Sequence, residues 1–250
     1  VFEPAPEPHD VPLPLPPRIL PIQRLAAFFE VTLCSGFPSQ LFLIGVLTGL
    51  GMQFRTPAGD LSPAFVFILS LADTVIVVGL VFFFLRAHRE SFWEVLVGPH
   101  RLWREAALGI ILTPAIFMLV MMVMAIILTF TPSLHNVPKN PLEDMLKNRQ
   151  DALIFAFVVM VAGGVREELQ RGFILHRFEQ YLGGGLVGVV VFSAVFGLGH
   201  MDQGNDASIA TAMLGAVWGG LYLIRRSVVA PMVSHAAFNL AQLVNYLALR

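Results

Sequence analysis

The chain has 250 residues, of which 56% are hydrophobic and only 13% charged, with a formal net charge of −1. Soluble domains carry about 25% charged residues, so half that figure places the chain in the membrane class, and the near-zero charge leaves no basic field for nucleic acid. A single cysteine, Cys34, excludes an intrachain disulfide and a cysteine-rich zinc site.

Residues 1–23, VFEPAPEPHDVPLPLPPRILPIQ, form a proline-dense tail. Proline fixes φ and removes a donor, which predicts an extended, disordered segment. The tail lacks the basic-then-apolar pattern of a signal peptide. Long apolar runs follow at about 25–52, 63–85, 106–131, 151–180, 184–200, 208–224 and 227–249. A spanning helix needs roughly 20 apolar residues. The expected fold is therefore all-α, a polytopic transmembrane helix bundle of about seven spans. The first run is interrupted by Pro38 and reads as one span or two shorter pieces. Between the second and third runs, SFWEVLVGPHRLWRE reads as a segment on the membrane surface, with its aromatics and arginines at the headgroups. The connector at 133–150 reads as solvated. Three regions result: the tail 1–23, N-terminal helices with the surface segment over 24–150, and a C-terminal helical region over 151–250.

With the N-terminus inside, nine of the 16 basic residues fall on the inner side, five outside and two within the fourth run. That excess favours an inside N-terminus. The absence of organelle signals points to a prokaryotic cytoplasmic membrane.

The fourth run carries the anomaly. In VAGGVREELQRGFILHRF, residues 161–178, an apolar stretch meets Arg166, Glu167, Glu168 and Arg171. A span ending at Val165 would make these a polar cap, but residues 152–165 are short for a span. One helix over about 151–180 puts Glu167 roughly 20 Å from the inner end. A charge there costs about 2.5–3.5 kcal/mol on insertion scales, so it must face the bundle interior and be paired. Arg171 lies four residues from Glu167 and three from Glu168, in reach of both. On the fifth run His200 follows Phe196 by four residues. On the seventh, His235 and Asn239 are four apart on one face. His200 and His235 lie at depths of roughly 24 and 14 Å. A lone membrane histidine is usually a packing residue; a carboxylate and two imidazoles at comparable depth on three helices read as a reaction site.

That set can deprotonate a water and stabilise an oxyanion. Glu167, His200 and His235 are also ordinary zinc donors, leaving one position for water. Asn239 could donate its amide N–H to an oxyanion or orient His235.

The order Glu167-Glu168…Arg171, then Phe196–His200, then His235–Asn239 resembles the CPBP intramembrane proteases, the family of type II CAAX prenyl endopeptidases and bacteriocin-processing or immunity (Abi) proteins. The resemblance covers about 150–245. It implies hydrolysis of a membrane-associated protein or peptide in a helix-lined cavity, with the first glutamate activating water and zinc as a candidate cofactor. The family pattern has three residues between the glutamate pair and the arginine; here there are two, Leu169 and Gln170. Glu167 is therefore the first choice for the base and Glu168 the second. No His-Glu-x-x-His motif is present.

Asp73 and Glu30 read as residues paired to neighbouring helices, Gly163-Gly164 and Gly197/Gly199 as points of close helix approach. His9, His88, His100 and His135 read as solvent or interface residues, and the methionines of MLVMMVMAI as packing. Two other readings of the buried charges stand beside hydrolysis: a proton-coupled transporter, which uses the same residue types, and a non-catalytic membrane scaffold. No internal repeat of the kind common in carriers is found.

Overall fold

The computed structural model describes residues 19–146 and 148–248. The tail expectation for residues 1–18 lies outside the described residues. Pro21 to Gln23, read from sequence as tail, already belong to the first helix, α1 (Pro21–Cys34). Proline at the first helical position has its φ preset and lacks only an N–H that would be unbonded there anyway. The Gln23 side chain caps the start by accepting the Leu20 N–H at 2.8 Å.

The first apolar run is two pieces. α1 and α2 (Phe37–Gly49) meet at 43° across a break at Ser35–Gly36. Gly36 takes φ of 85°, which favours glycine, and Pro38 sits harmlessly in the first turn of α2. α3 (Pro63–Ala87) and α4 (Leu102–Phe130) follow as long apolar helices. Between them, residues 93–97 make one wide turn. Trp93 and Trp103 face outward, as expected of a surface segment, but Leu96 is fully buried. The Tyr222 hydroxyl donates to Val95 and the Val228 N–H donates to Leu96, so the segment is hooked into the bundle.

The 133–150 connector is not simply solvated. His135 bonds Asp206 at 2.6 Å, Asn140 donates to Gln203, and Met145 and Leu146 are buried. A buried apolar anchor and a set of polar bonds hold it against residues 203–206, so His135 is not a plain solvent residue either.

The predicted helix over 151–180 runs as α5 (Arg149–Val158), eight wide-turn residues at 159–166, and α6 (Glu167–Tyr181). α7 (Gly185–Leu198), α8 (Asn205–Arg225) and α9 (Val229–Ala248) complete the all-α bundle. α7 packs along α8, α4 along α9, and α9 against the wide-turn segment. Gly163 and Gly164 allow that last contact: a Cβ on Gly164 would lie 2.7 Å from the Ala236 Cβ. Gly197 likewise lets α7 meet Ser208 and Ala212 of α8, whereas Gly199 makes only ordinary contacts. The core gathers Val81, Leu85, Leu96, Phe173, Leu175 and Tyr222 around α6. Large apolar side chains such as Val75, Ile111, Met118 and Ile224 cover the outside, the inverse of a soluble surface and the mark of a lipid-facing one. By length and composition α3, α4 and α8 reach crossing length, and α1 with α2 makes a fourth as one bent span. α7, at 14 residues, is shorter.

One end of the bundle is tied by a buried ion network. Arg177 is fully buried and bonds both Glu30 of α1 and Glu90 of the turn after α3 at 2.6 Å, and Gln180 at 2.8 Å. His88 reaches Glu30 at 2.6 Å, and His176 reaches Glu90 at 2.9 Å. Glu30 is thus paired to neighbouring helices, and His88 is part of the same cluster. Burial alone would raise the Glu90 carboxyl; hydrogen bonds from His176, Gln180 and Arg177, with the Arg177 charge, hold it instead at about 2, down from 4.5. A carboxyl depressed on folding stabilises the fold above its unfolded value and loses that contribution as pH falls toward its folded one. The stability advantage of the wild type over Glu90→Gln is therefore expected to be constant above about pH 5 and to vanish between 4.5 and 2. Thermal unfolding of both proteins in detergent across that range measures it.

Candidate active site

The site is built where the wide-turn segment hands over to α6. Wide turns of this kind insert a residue into the helical register and concentrate at functional sites. Here the register puts two neighbouring glutamates into different surroundings. Glu168 is 1% exposed and is held by Arg171 and by the His235 ring, whose Nδ1 lies 2.8 Å from its Oε1. Glu167 is more open, at 16% side-chain exposure, with Arg166 Nη1 at 3.7 Å and His235 Nε2 at 3.8 Å. Arg171, which the spacing puts within reach of both glutamates, bonds only Glu168.

Each imidazole is fixed through Nδ1. His235 Nδ1–H donates to Glu168, and His200 Nδ1–H donates to the Phe196 carbonyl at 2.8 Å. The partner of one ring nitrogen decides which tautomer is present, so both Nε2 atoms are left with a lone pair. Trp218 lies flat on the His235 ring, with centroids 3.9 Å apart and planes 18° apart. The same indole faces the Arg171 guanidinium at 5.6 Å, with Phe192 and Phe196 at 5.2 and 4.9 Å. Arg171 Nε and Nη2 have no hydrogen-bond acceptor; the ring faces take that place by cation–π attraction. Phe196 therefore serves twice, through its ring to Arg171 and through its carbonyl to His200.

Asn239 sits one turn beyond His235. Its amide nitrogen is only 2.6 Å from where a Cβ on Gly163 would stand, so glycine leaves the room it occupies. Arg166 pairs with Asp73 of α3, which also accepts bonds from Ser39 and Gln40 of α2. Asp73 is thus paired to neighbouring helices and braces Arg166 beside Glu167. A Cβ on Gly36 would lie 2.4 Å from Arg166 Nη2, so glycine at the α1–α2 break also admits this guanidinium.

A cavity of about 270 Å³ opens on one side of α6, walled by Glu167, Gln170, His200, Gln40, Phe192 and Phe196 among others. Of the residues singled out in the sequence, Glu167, Glu168, Arg171 and His235 are joined in one cluster with Asn239 adjacent, while His200 stands apart from it and shares with Glu167 only the cavity wall. Sequence reading passed over Gln170, Trp218, Gln40 and Ser39. Gln170 lies inside the motif itself. The others carry no local signal, since their roles depend on helices distant in the chain.

The donor chemistry is compatible with zinc, for a zinc-bound histidine commonly donates its other nitrogen to a carboxylate or carbonyl. The arrangement is not: among the described residues no three His, Cys, Asp or Glu side chains are gathered as a ligand set. Glu167, His200 and His235 would have to draw together to form one.

Residues 149–241 match a family model described as type II CAAX prenyl endopeptidase Rce1-like. The match takes in α5 to most of α9, the helices that carry every motif of the cluster, and leaves α1 to α4 outside. No curated protein and no solved structure matches the chain significantly.

The two glutamates are expected to differ sharply in stability tests. Glu168→Ala strands a buried guanidinium, a loss of about 3–5 kcal/mol. Glu167→Gln, on the cavity wall, changes stability by about 0.5 kcal/mol or less. Denaturant titration of both variants in detergent checks this; equal losses would contradict the division.

Proposed function

We propose that this integral membrane protein, whose residues 149–241 match the Rce1-like type II CAAX prenyl endopeptidase family model, cuts a peptide bond in a membrane-associated protein or peptide by side-chain-activated water. The observation that carries the reading is the unequal treatment of the glutamates: Glu168 is consumed by Arg171 and His235, while Glu167 faces the cavity within 3.8 Å of His235 Nε2.

A water seated between Glu167 and His235 Nε2 can contact both. Glu167 takes its proton as the oxygen adds to the scissile carbonyl, and the resulting tetrahedral oxyanion needs a donor. The Asn239 amide is the donor at hand, while His235 Nε2 accepts a hydrogen bond from the proton that stays on the attacking oxygen. Glu167 then delivers its proton to the departing amine as the carbon–nitrogen bond breaks, so the carboxylate is restored. Glu168 acts through His235: it holds the ring's Nδ1–H and directs Nε2 toward Glu167. Arg171 balances the charge of Glu168 in a lipid-embedded site, and Phe196 positions both Arg171 and His200.

A zinc ion on Glu167, His200 and His235 belongs to this proposal only with a further movement of those side chains. When bound, it would supply Lewis acidity toward the carbonyl and a more acidic water. The apolar walls formed by Phe192, Val195 and Phe196 suit an extended segment carrying aliphatic side chains, whether a CAAX-type tail or a leader peptide. In this proposal the membrane is a prokaryotic cytoplasmic one and the N-terminus lies on its inner side, an orientation that the excess of basic residues on that side supports.

In proteoliposomes containing fluorogenic membrane peptides of CAAX and leader type, Glu167→Gln is expected to lower kcat by about 10²–10⁴-fold with KM little changed. His200→Ala should fall in the same direction. Full turnover by either variant would sink the assignment, and solute flux without peptide cleavage would favour a carrier.

A further inference from the structure

A cleft of about 670 Å³, which shares no lining residue with the reaction cavity, opens where α3 ends, walled by Phe82, Leu85, Arg86, Arg89, Ser91 and Trp93 among others. Its two arginines differ from the five that are tied in ion pairs. Arg166, Arg171, Arg177, Arg225 and Arg226 each hold a carboxylate. Arg86 and Arg89 are exposed, and neither has a carboxylate partner among the described residues. Glu90 also borders the cleft, but its oxygens are taken by Arg177, His176 and Gln180. The cleft therefore keeps two uncompensated positive charges.

The backbone reinforces this. Arg89 has φ of 58° at the position just past the helix where glycine is usual. Its N–H bonds the Arg86 carbonyl at 3.0 Å and the Glu90 N–H bonds the Leu85 carbonyl at 2.8 Å. Two carbonyls at the helix C-terminus, those of Leu85 and Arg86, are thus occupied. The Ser91 oxygen accepts the Glu94 N–H at 3.4 Å, which leaves its O–H free to donate. On the apolar side, Phe82 and Phe83 are more than half exposed on the outer face of α3, and Trp93 is 66% exposed at the rim. Indole rings of this kind sit at headgroup level.

We propose that this cleft binds the phosphate of an anionic phospholipid, with Arg86 and Arg89 on the phosphate oxygens, Ser91 donating a hydrogen bond, and the acyl chains lying along Phe82 and Phe83. The chemistry is that of a phosphate monoanion attached to apolar chains: two point charges recognise the head, and the aromatic face outside α3 accommodates the tails. A zwitterionic lipid offers the same tails and a headgroup whose own ammonium opposes the arginines. The inference is independent of peptide hydrolysis, since none of these residues touches the reaction cavity.

Native mass spectrometry of the full chain in detergent, with phosphatidylglycerol and phosphatidylcholine of matched chains present in equal amounts, tests it. The wild type is expected to retain phosphatidylglycerol preferentially. Arg86→Gln and Arg89→Gly should each weaken that retention by about fivefold. Arg89→Gly places glycine where the backbone favours it, so loss of binding there is not loss of folding. Arg104→Gln, on the exposed side chain beside Trp103, should keep wild-type retention. Equal retention of both lipids, or unchanged retention in the Arg86 and Arg89 variants, would overturn the proposal. Displacement of the lipid by millimolar inorganic phosphate would assign the cleft to a free anion and overturn it as well.

Discussion

An ionised carboxylate inside a lipid-embedded bundle is tolerable only when its charge and its lone pairs are answered, and the fold around α6 is organised to answer those of Glu168. Arg171 supplies the opposite charge and His235 a second donor. Arg171 then needs its own surroundings, because two of its nitrogens have no acceptor. Phe192, Phe196 and Trp218 provide them as π faces. One ion pair thereby recruits α7, α8 and α9 around α6. Removing either charge leaves the other buried and uncompensated, which is far more damaging than deleting both.

The same arrangement separates two chemically identical residues. Glu167 and Glu168 are adjacent in sequence and about 100° apart around a helix. One faces the closed Arg171 side and the other the cavity. The immobile carboxylate orients an imidazole, and the open one is free to exchange a proton. Trp218 adds a constraint that hydrogen bonds cannot supply: a bond to Nδ1 leaves the ring able to swing about that axis, whereas a stacked indole fixes its plane. His235 is thus held along two directions.

Much of this was legible in the sequence because lipid removes alternatives. A chain with this few charges cannot hide its helices, and polar residues inside apolar runs stand out without any structural aid. The runs matched the helices closely, and the glutamates and His235 could be gathered by depth, with Arg171 and Asn239 added by helical spacing. What stayed hidden depends on register and partner choice. Spacing put Arg171 within reach of both glutamates; only the helix's rotation decides that it holds Glu168. Asp73 could be read as paired, but its partner Arg166 lies 93 positions away, and no local pattern encodes that distance. Trp218 is an aromatic residue in an apolar helix, indistinguishable from packing until His235 is placed against it. The 133–150 connector was misread as solvated because its buried anchor, Met145 and Leu146, is too short to register as an apolar run.

The wide-turn segment at 159–166 uncouples the direction of the glutamates from the helix that precedes them. A regular helix ties the direction of a side chain to its position by a fixed angle, so deleting one residue rotates everything beyond it by about 100°. A widened turn carries more residues per revolution and absorbs such a change locally. Its location here is immediately before Glu167, with Gly163 and Gly164 admitting α9 at the same level. The glutamates are thus set by the start of α6 and not by the phase of α5, and Arg166, the last residue of the widened stretch, is free to turn away toward Asp73. The shorter spacing in the motif lies beyond that stretch, inside α6, and is tolerated because side chains three apart on a helix still meet, as Glu168 and Arg171 do.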